Sequence, residues 1–338
     1  MQKSFHLFIV FYFGWVCLCA PVTLKAQRIE ILDSGRQVSL RGLSIVDDQV
    51  FWVSGSKGSV ARSWDGGRQI EWMKVSGYEE RDFRDIEAFD AQTAVIMAID
   101  SPAIILKTID GGKAWKKVFE DHRSGMFLDA MVFKNAHYGV VVGDAVDGHF
   151  FLAQTKDGGN HWKVISNNKT AIAEEGEVLF AASGTNIILW DKQPVFVTGG
   201  IKSHLINGNK KTLLPLLSSK ASAGANSISV AEDGRWVIVG GDYMADHLSE
   251  GNCVFSDDSG NTFFTPLVNP YGYKSSIVYA GNQTWISCGT SGVDISTDHG
   301  IQWKNFSRQS FHVVQKAKIG KKIFLAGKNG MIANLVFP

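Results

Sequence analysis

Thr108-Ile109-Asp110-Gly111-Gly112-Lys113-Ala114-Trp115 returns 47 residues later as Thr155-Lys156-Asp157-Gly158-Gly159-Asn160-His161-Trp162, and again as Ser296-Thr297-Asp298-His299-Gly300-Ile301-Gln302-Trp303. Ser256, Asp258, Gly260 and Phe263 make a fourth copy, and Ser63-Trp64-Asp65-Gly66-Gly67 a fifth, with Ile70 where the aromatic should stand. The shared pattern is Ser/Thr-x-Asp-x-Gly-x-x-Trp/Phe, and its logic is local. Asp in a tight turn accepts hydrogen bonds from backbone N–H groups just ahead of it, and the preceding hydroxyl adds a contact. Gly takes the positive-φ position, and the aromatic returns into the apolar space between neighbouring sheets. Each copy therefore closes its own hairpin, which argues against reading the five aspartates as one catalytic or metal-binding array.

The copies step along the chain by 45 residues from Asp65 to Asp110, 47 to Asp157, and 40 from Asp258 to Asp298. These are propeller-blade periods. The interval of 101 residues between Asp157 and Asp258 leaves room for one more blade, whose turn near Asn207-Gly208-Asn209-Lys210 has lost the motif. Upstream of the motifs lie short β-rich runs punctuated by glycine: Val50-Phe51-Trp52-Val53, Val140-Val141-Val142, Val237-Ile238-Val239, Trp285-Ile286-Ser287 and Ile323-Phe324-Leu325. Such runs read as strands joined by hairpins, and no helical period competes with them. The expected fold is all-β: a seven-bladed propeller of four-stranded antiparallel blades near 38–75, 84–119, 127–165, 177–217, 225–268, 274–306 and 311–336. The last blade is one strand short, and Arg28-Ile29-Glu30-Ile31-Leu32 supplies that strand as a clasp that leaves no free sheet edge. Six or eight blades stay open, because the blade without the motif is placed by spacing alone.

Ahead of the repeats, Lys3 precedes an apolar run from Phe5 to Ala20, with Leu24-Lys25-Ala26 before Gln27. This is the layout of a secretory signal peptide over residues 1–26, followed by a single domain over 27–338. Cleavage is preferred to an uncleaved anchor because of small Ala26, and lipidation at Cys17 or Cys19 is disfavoured by Leu18. The chain is thus expected to be exported, periplasmic or extracellular, without a stable membrane span after cleavage. Losing Lys3 and Lys25 from 34 basic residues leaves 32 against 33 acidic ones, so nucleic acid is not an expected partner. Only Cys253 and Cys288 remain, as one bridge or as two buried thiols.

The Asp-box series, the Ser54–Val60 and Ala326–Ile332 hairpins and the blade spacing across residues 28–338 resemble the exported propellers related to the photosystem II stability/assembly factor. The resemblance implies a binding or assembly role. It also implies that an arginine-rich surface meets the partner; the arginines here are few and scattered, and none is carried over. No plastid transit peptide is recognisable. The same turn motif occurs in sialidases, so it specifies architecture and not activity.

In four-stranded blades the Asp-boxes are turns between strands C and D, so a pocket at the opposite channel mouth is lined by B–C and D–A loops. The candidates there are Arg84, Asp85, Asp144, Glu177, Asp242 and Tyr243. Around them stand Asp82, Glu87, Asp100, Asp129, Asp147, His149, Glu174, Glu175, Asp246, His247, Tyr271, Tyr273 and Lys274. Converging carboxylates raise one another's pKa and supply an acid and a base, whereas scattered ones cap turns. Asp242, Asp246 and His247 lack a metal-ligand spacing, and no cofactor or metal is expected. The stretch Phe180–Asn186 has the small residues of a close backbone approach or of a tight connection. Two functions follow: a non-enzymatic interaction or assembly module that holds a protein partner, preferred, or a carbohydrate-active hydrolase or lyase acting on a glycan with carboxylates and a tyrosine. A sialidase would need three converging arginines, and Arg41, Arg84, Arg123 and Arg308 are the available ones, none in a sialidase-like motif.

Overall fold

The computed structural model describes residues 27–337; the expected leader, with Cys17 and Cys19, lies outside the described residues. Seven antiparallel sheets follow one another around an axis, their strands named A to D from the centre outward; in the fifth blade the short strands Glu177–Val178 and Gly199–Gly200 add to the inner edge of the sheet. Blade 1 takes Leu40–Ile45, Phe51–Gly55, Ser59–Ser63 and Glu71–Lys74, and blade 2 Phe83–Ala88, Ala94–Ala98, Ala103–Thr108 and Lys116–Asp121. Blade 3 takes Leu128–Phe133, Gly139–Val146, His149–Thr155 and Lys163–Val164. Blade 4, which lacks the motif, takes Ile187–Trp190, Gln193–Val197, His204–Asn207 and Lys210–Leu213, its C–D turn being the two-residue hairpin Gly208-Asn209. Blade 5 takes Ala223–Val230, Trp236–Asp242 and Cys253–Ser256, with an outer strand reduced to one pairing of Phe255 with Phe264. Blade 6 takes Ser276–Gly281, Thr284–Gly289, Gly292–Ser296 and Lys304–Ser307.

Blade 7 closes the ring. Its inner strands are Val313–Lys316, Ile323–Ala326 and Ile332–Val336, and its outer strand is Arg28–Asp33, in register from Arg28 opposite Val336 to Asp33 opposite Ile332. The clasp removes the free edge that an open fan of sheets would offer to another chain.

Alternation along the strands sends apolar residues to both faces of every sheet, and the core forms between neighbouring blades. Phe51, Val53 and Ala61 of blade 1 meet Val313, Phe324 and Ala326 of blade 7, while Trp52 and Val60 on the other face meet Phe83, Ile86 and Ile104 of blade 2. Trp52, Trp236 and Trp285, all early in strand B, are fully buried. Truncating any of them to Ala would cost about 3–5 kcal/mol. Both cysteines of the described chain, Cys253 and Cys288, are buried free thiols.

The five motifs share one geometry. Thr108 Oγ1 accepts from Gly112 N–H at 2.9 Å and donates to Asp110 Oδ1 at 2.8 Å, and that oxygen accepts from Ala114 N–H at 3.0 Å. Ser63, Thr155, Ser256 and Ser296 repeat the hydroxyl contact to the glycine N–H, each at 2.9 Å. Gly112 has φ +85°, and a Cβ there would lie 2.2 Å from the Met73 sulfur of the preceding blade. The turn and the inter-blade contact therefore demand glycine together.

Candidate functional site at the channel mouth

Strand A of each blade runs along the central channel, and its first rung decides what the mouth opposite the Asp-boxes displays. In four blades a β-bulge stands at that level, after the first pair in blades 1 to 3 and after the third in blade 5: one extra residue lies between Leu40 and Gly42, Phe83 and Asp85, Leu128 and Ala130, and Ala225 and Ser227. The extra residues are Arg41, Arg84, Asp129 and Asn226. Bulges re-aim a side chain out of the alternation, and Arg41, Arg84 and Asn226, together with Ser275 and His312 at the same rung of blades 6 and 7, line a cavity of about 480 Å³. Two residues further along each strand the channel turns aliphatic. Leu43, Ile86, Met131, Ile188, Ile228 and Ile277 line a second cavity, of about 450 Å³, toward the Asp-box face.

Between the two cavities runs the small-residue stretch that connects blade 3 to blade 4. Val178–Ala182 lines the first cavity, and Gly184, Thr185 and Ile187 the second. This strap is held from all sides. Leu179 N–H donates to Asp144 Oδ1 at 2.8 Å, Arg84 reaches Ala181 O at 3.4 Å, and Arg41 donates to Ala182 O at 3.0 Å. Ser183 Oγ donates to Ser275 O at 2.6 Å, and Thr185 meets Ser227 Oγ at 2.6 Å. Gly184 has φ +69°, and a Cβ on it would lie 2.4 Å from the Asp85 carboxyl across the channel. The small residues of this stretch make a connection that crosses the axis.

Of the six candidates named from sequence, three reach the first cavity: Arg84, Asp144 and Tyr243. Arg84 is fixed by Asp82 at 2.9 Å. Tyr243 stands edge-on to Phe180 and to Tyr273, with ring centroids 6.1 and 6.3 Å apart, and these rings form the aromatic wall. The Tyr273 hydroxyl donates to Asn226 Oδ1 at 2.8 Å and not to an acid.

The other three are held by structural duties. Asp85 lines the second cavity instead, because strand A advances from one mouth to the other along its length; its carboxyl accepts from Ile86 N–H at 2.8 Å and Met131 N–H at 2.6 Å. Glu177 is engulfed by His204 Nδ1 at 2.8 Å, Lys211 Nζ at 2.6 Å and Thr198 Oγ1 at 2.7 Å. Burial raises its pKa, but these donors outweigh it and hold the carboxyl at about 2. Glu174, Glu177 and His204 have the proximity of a cation site, and the Lys211 ammonium already bonds both carboxylates. Asp242 caps its own loop through Met244 N–H at 2.9 Å and pairs with Lys220 at 3.1 Å.

The surrounding acids scatter likewise. Glu87 bonds Lys318 beside the second cavity. His149 contacts Thr170 O, and Tyr271 lies under the Arg308 guanidinium at 3.6 Å. Lys274 is buried against Asp294 at 2.5 Å.

Burial sets the electrostatics of the mouth. It lifts Asp144 to about 6 and lowers His312 to about 4, the Arg41 charge adding to the latter. Asp129, behind Asp144, is pushed well up by burial and then by the Asp144 charge, and neither of its oxygens has a hydrogen-bond partner among the described residues. Arg41 is half-buried, its pKa lowered by desolvation and then by the Arg84 charge, and it makes no ion pair among the described residues. Sequence reading missed Asn226, Ser275 and His312, and weighed Arg41 only as a sialidase arginine. The signal was present in the common rung of strand A, which becomes visible only once the blades are aligned.

A profile of the family described as photosynthesis system II assembly factor YCF48 matches residues 23–126. Among solved structures, "YCF48 bound to D1 peptide" superposes with a TM-score of 0.62 at 15% identity, covering 94% of this chain and 99% of that one. YCF48 from Cyanidioschyzon merolae superposes with a TM-score of 0.61 at 13% identity, covering 91% and 98%. The chain is an Asp-box β-propeller resembling the photosystem II assembly factor. No curated protein matches it. The Asp-box propeller shares with those structures its whole architecture, and at this identity the likeness is one of fold.

Proposed function

We propose that the protein is an exported, non-enzymatic interaction module that holds a segment of a protein partner at the channel mouth, with an acidic group of that segment on Arg41 and Arg84. The observation that carries this reading is the Arg41 guanidinium. It lies half-buried in an aromatic-walled cavity, pairs with no carboxylate among the described residues, and bonds a peptide carbonyl, Ala182 O, at 3.0 Å. A guanidinium presents five donors in a rigid fork, so donors are left over for a carboxylate. The strap supports the same reading, because it gives the cavity a floor of main chain. Two guanidiniums line the mouth where a sialidase would need three, and the cavity's buried tyrosine hydroxyl bonds an amide. One structural neighbour, YCF48, is seen bound to a D1 peptide, which agrees with a peptide-holding role for the fold. Export rests on the leader layout of residues 1–26.

The test is in-cell crosslinking of the full chain, comparing wild type with Arg41→Glu/Arg84→Glu and with a control, Arg68→Glu/Lys113→Glu, on the Asp-box face. The reading expects an adduct that the mouth variant loses and the control keeps. An adduct retained by the mouth variant defeats it. An exported chain whose intact mass begins at Gln27 is expected alongside.

A further inference from the structure

Asp144 lies two residues before the end of strand B of blade 3, at the wall of the first cavity. One of its oxygens takes Leu179 N–H at 2.8 Å; the other has no partner among the described residues. Directly behind it on strand A stands Asp129, fully buried, with neither oxygen in a well-formed hydrogen bond among the described residues; only the N–H groups of Asp144 and Ala181 lean toward it. Neither carboxyl is ion-paired among the described residues; Arg84 acts on Asp129 through its charge but bonds Asp82 through Nε, which leaves guanidinium donors over for a ligand. Two adjacent carboxyls without a counter-ion cannot both be charged in a desolvated site. The charge of this wall therefore changes by one proton, and it does so beside the arginines to which the reading above assigns an acidic group.

We propose that Asp144 is a specificity-determining residue of the mouth: as the acid it admits a carboxylate of the partner beside Arg41 and Arg84, and as the carboxylate it expels that group. The inference rests on the arginine site of the preceding subsection. The groups that face Asp144 leave it as the one that switches. Asp129 is pushed well up by burial and then by the Asp144 charge; the strap gives Asp144 the Leu179 N–H; and Arg84 pairs with Asp82. Across the cavity, burial keeps His312 neutral above about 4 and Tyr273 neutral well into alkali. Asp144 itself titrates at about 6. A carboxylate that meets only the acid form is held more tightly at low pH, and apparent affinity follows the acid fraction.

The test is an NMR titration of the mature chain with N-acetyl-phenylalanine, which carries a chain-terminal type of carboxylate, and with the α-amide of N-acetyl-glutamate, which carries a side-chain one. N-acetyl-phenylalaninamide is the uncharged control. The proposal expects binding of at least one carboxylate probe to weaken about 30-fold from pH 5 to pH 7.5, the ratio of acid fractions for a group at about 6. Asp144→Asn keeps the acceptor for Leu179 and should bind at the tighter level at both pH values. Whichever carboxylate binds names the source. Binding by wild type that is insensitive to pH, or a pH slope that survives in Asp144→Asn, overturns the role of Asp144 and leaves the arginine site standing. Equal binding of the uncharged control, no binding at pH 5, or full binding by Arg41→Gln overturns the arginine site itself and the role of Asp144 with it.

Discussion

The carboxylates of the Asp-boxes and those of the opposite half of the molecule live under opposite rules. Every motif aspartate finds its partners within four residues: Asp258 Oδ1 takes the N–H of Asn261 at 3.0 Å and of Thr262 at 2.8 Å. Those bonds, Thr262 N–H first, hold it down at about 2, although it is open to water. On the other half, Asp85 is bonded by Met131, Asp144 by Leu179, Glu177 by His204 and Lys211, and Asp294 by Lys274, while Asp129 has no partner among the described residues. The first set builds turns whatever surrounds them. The second set ties blades together or faces the cavity, and its chemistry depends on what the ring brings near.

The comparison is sharpened most by Asp294→Ala. This change strands the Lys274 ammonium in the interior, fully buried as it is, and should remove about 3–5 kcal/mol of stability in urea unfolding. A cost no larger than that of a turn substitution would break the distinction between the two sets. Next, Asp144→Asn should stabilise the protein by about 2 kcal/mol at pH 7.5, somewhat less than a lift from 3.8 to about 6 would give in full, at 1.36 kcal/mol per unit. The sign follows from the raised folded pKa. The wild-type penalty is absent below the unfolded value near 4, grows as pH rises through about 6, and is constant above, so the gain of the amide should vanish at pH 3.5.

Smaller still, Thr108→Val removes a buried hydroxyl that serves Gly112 N–H and Asp110, and should cost about 1–2 kcal/mol by the same urea assay. Least of all, Asp110→Ala should leave global unfolding close to wild type and show itself as faster hydrogen exchange at Ala114 N–H, the donor that loses its acceptor. Global loss comparable to that of Asp294→Ala would show that the turns are not self-contained. The acid limb should carry the opposite sign to the Asp144 effect. Stability from the motif aspartates is present above the ordinary carboxylate value and is lost as pH falls toward about 2, the value at Asp258.

Much of this architecture is written in short range. Ser/Thr-x-Asp-x-Gly-x-x-Trp specifies a turn from eight contiguous residues, its recurrence counts the blades, and the strand deficit after Val313 calls for the clasp at Arg28–Asp33. Blade 4 was locatable only by spacing, because Gly208-Asn209 closes the same hairpin without the signature. The choice of face was legible too, since the position of a C–D turn fixes where the D–A and B–C loops must go. Of the six residues that this choice of face suggests, Arg84, Asp144 and Tyr243 line the first cavity, Arg84 by way of its bulge.

What the sequence by itself determined is therefore everything whose partner lies within a hairpin: the turns, the strands, the repeat and the half of the molecule that carries the mouth. Only the tertiary structure decided which carboxylates face the cavity and which fasten the fold. It turned Arg41 and Asn226 to the axis with bulges, laid Phe180–Asn186 across the channel, and put Asp129 behind Asp144 without a counter-ion. The physical reason is range. A turn hydrogen bond is set by the dihedrals of a few neighbouring residues, whereas burial and the charge of distant side chains exist only after seven separate sheets have closed into one ring.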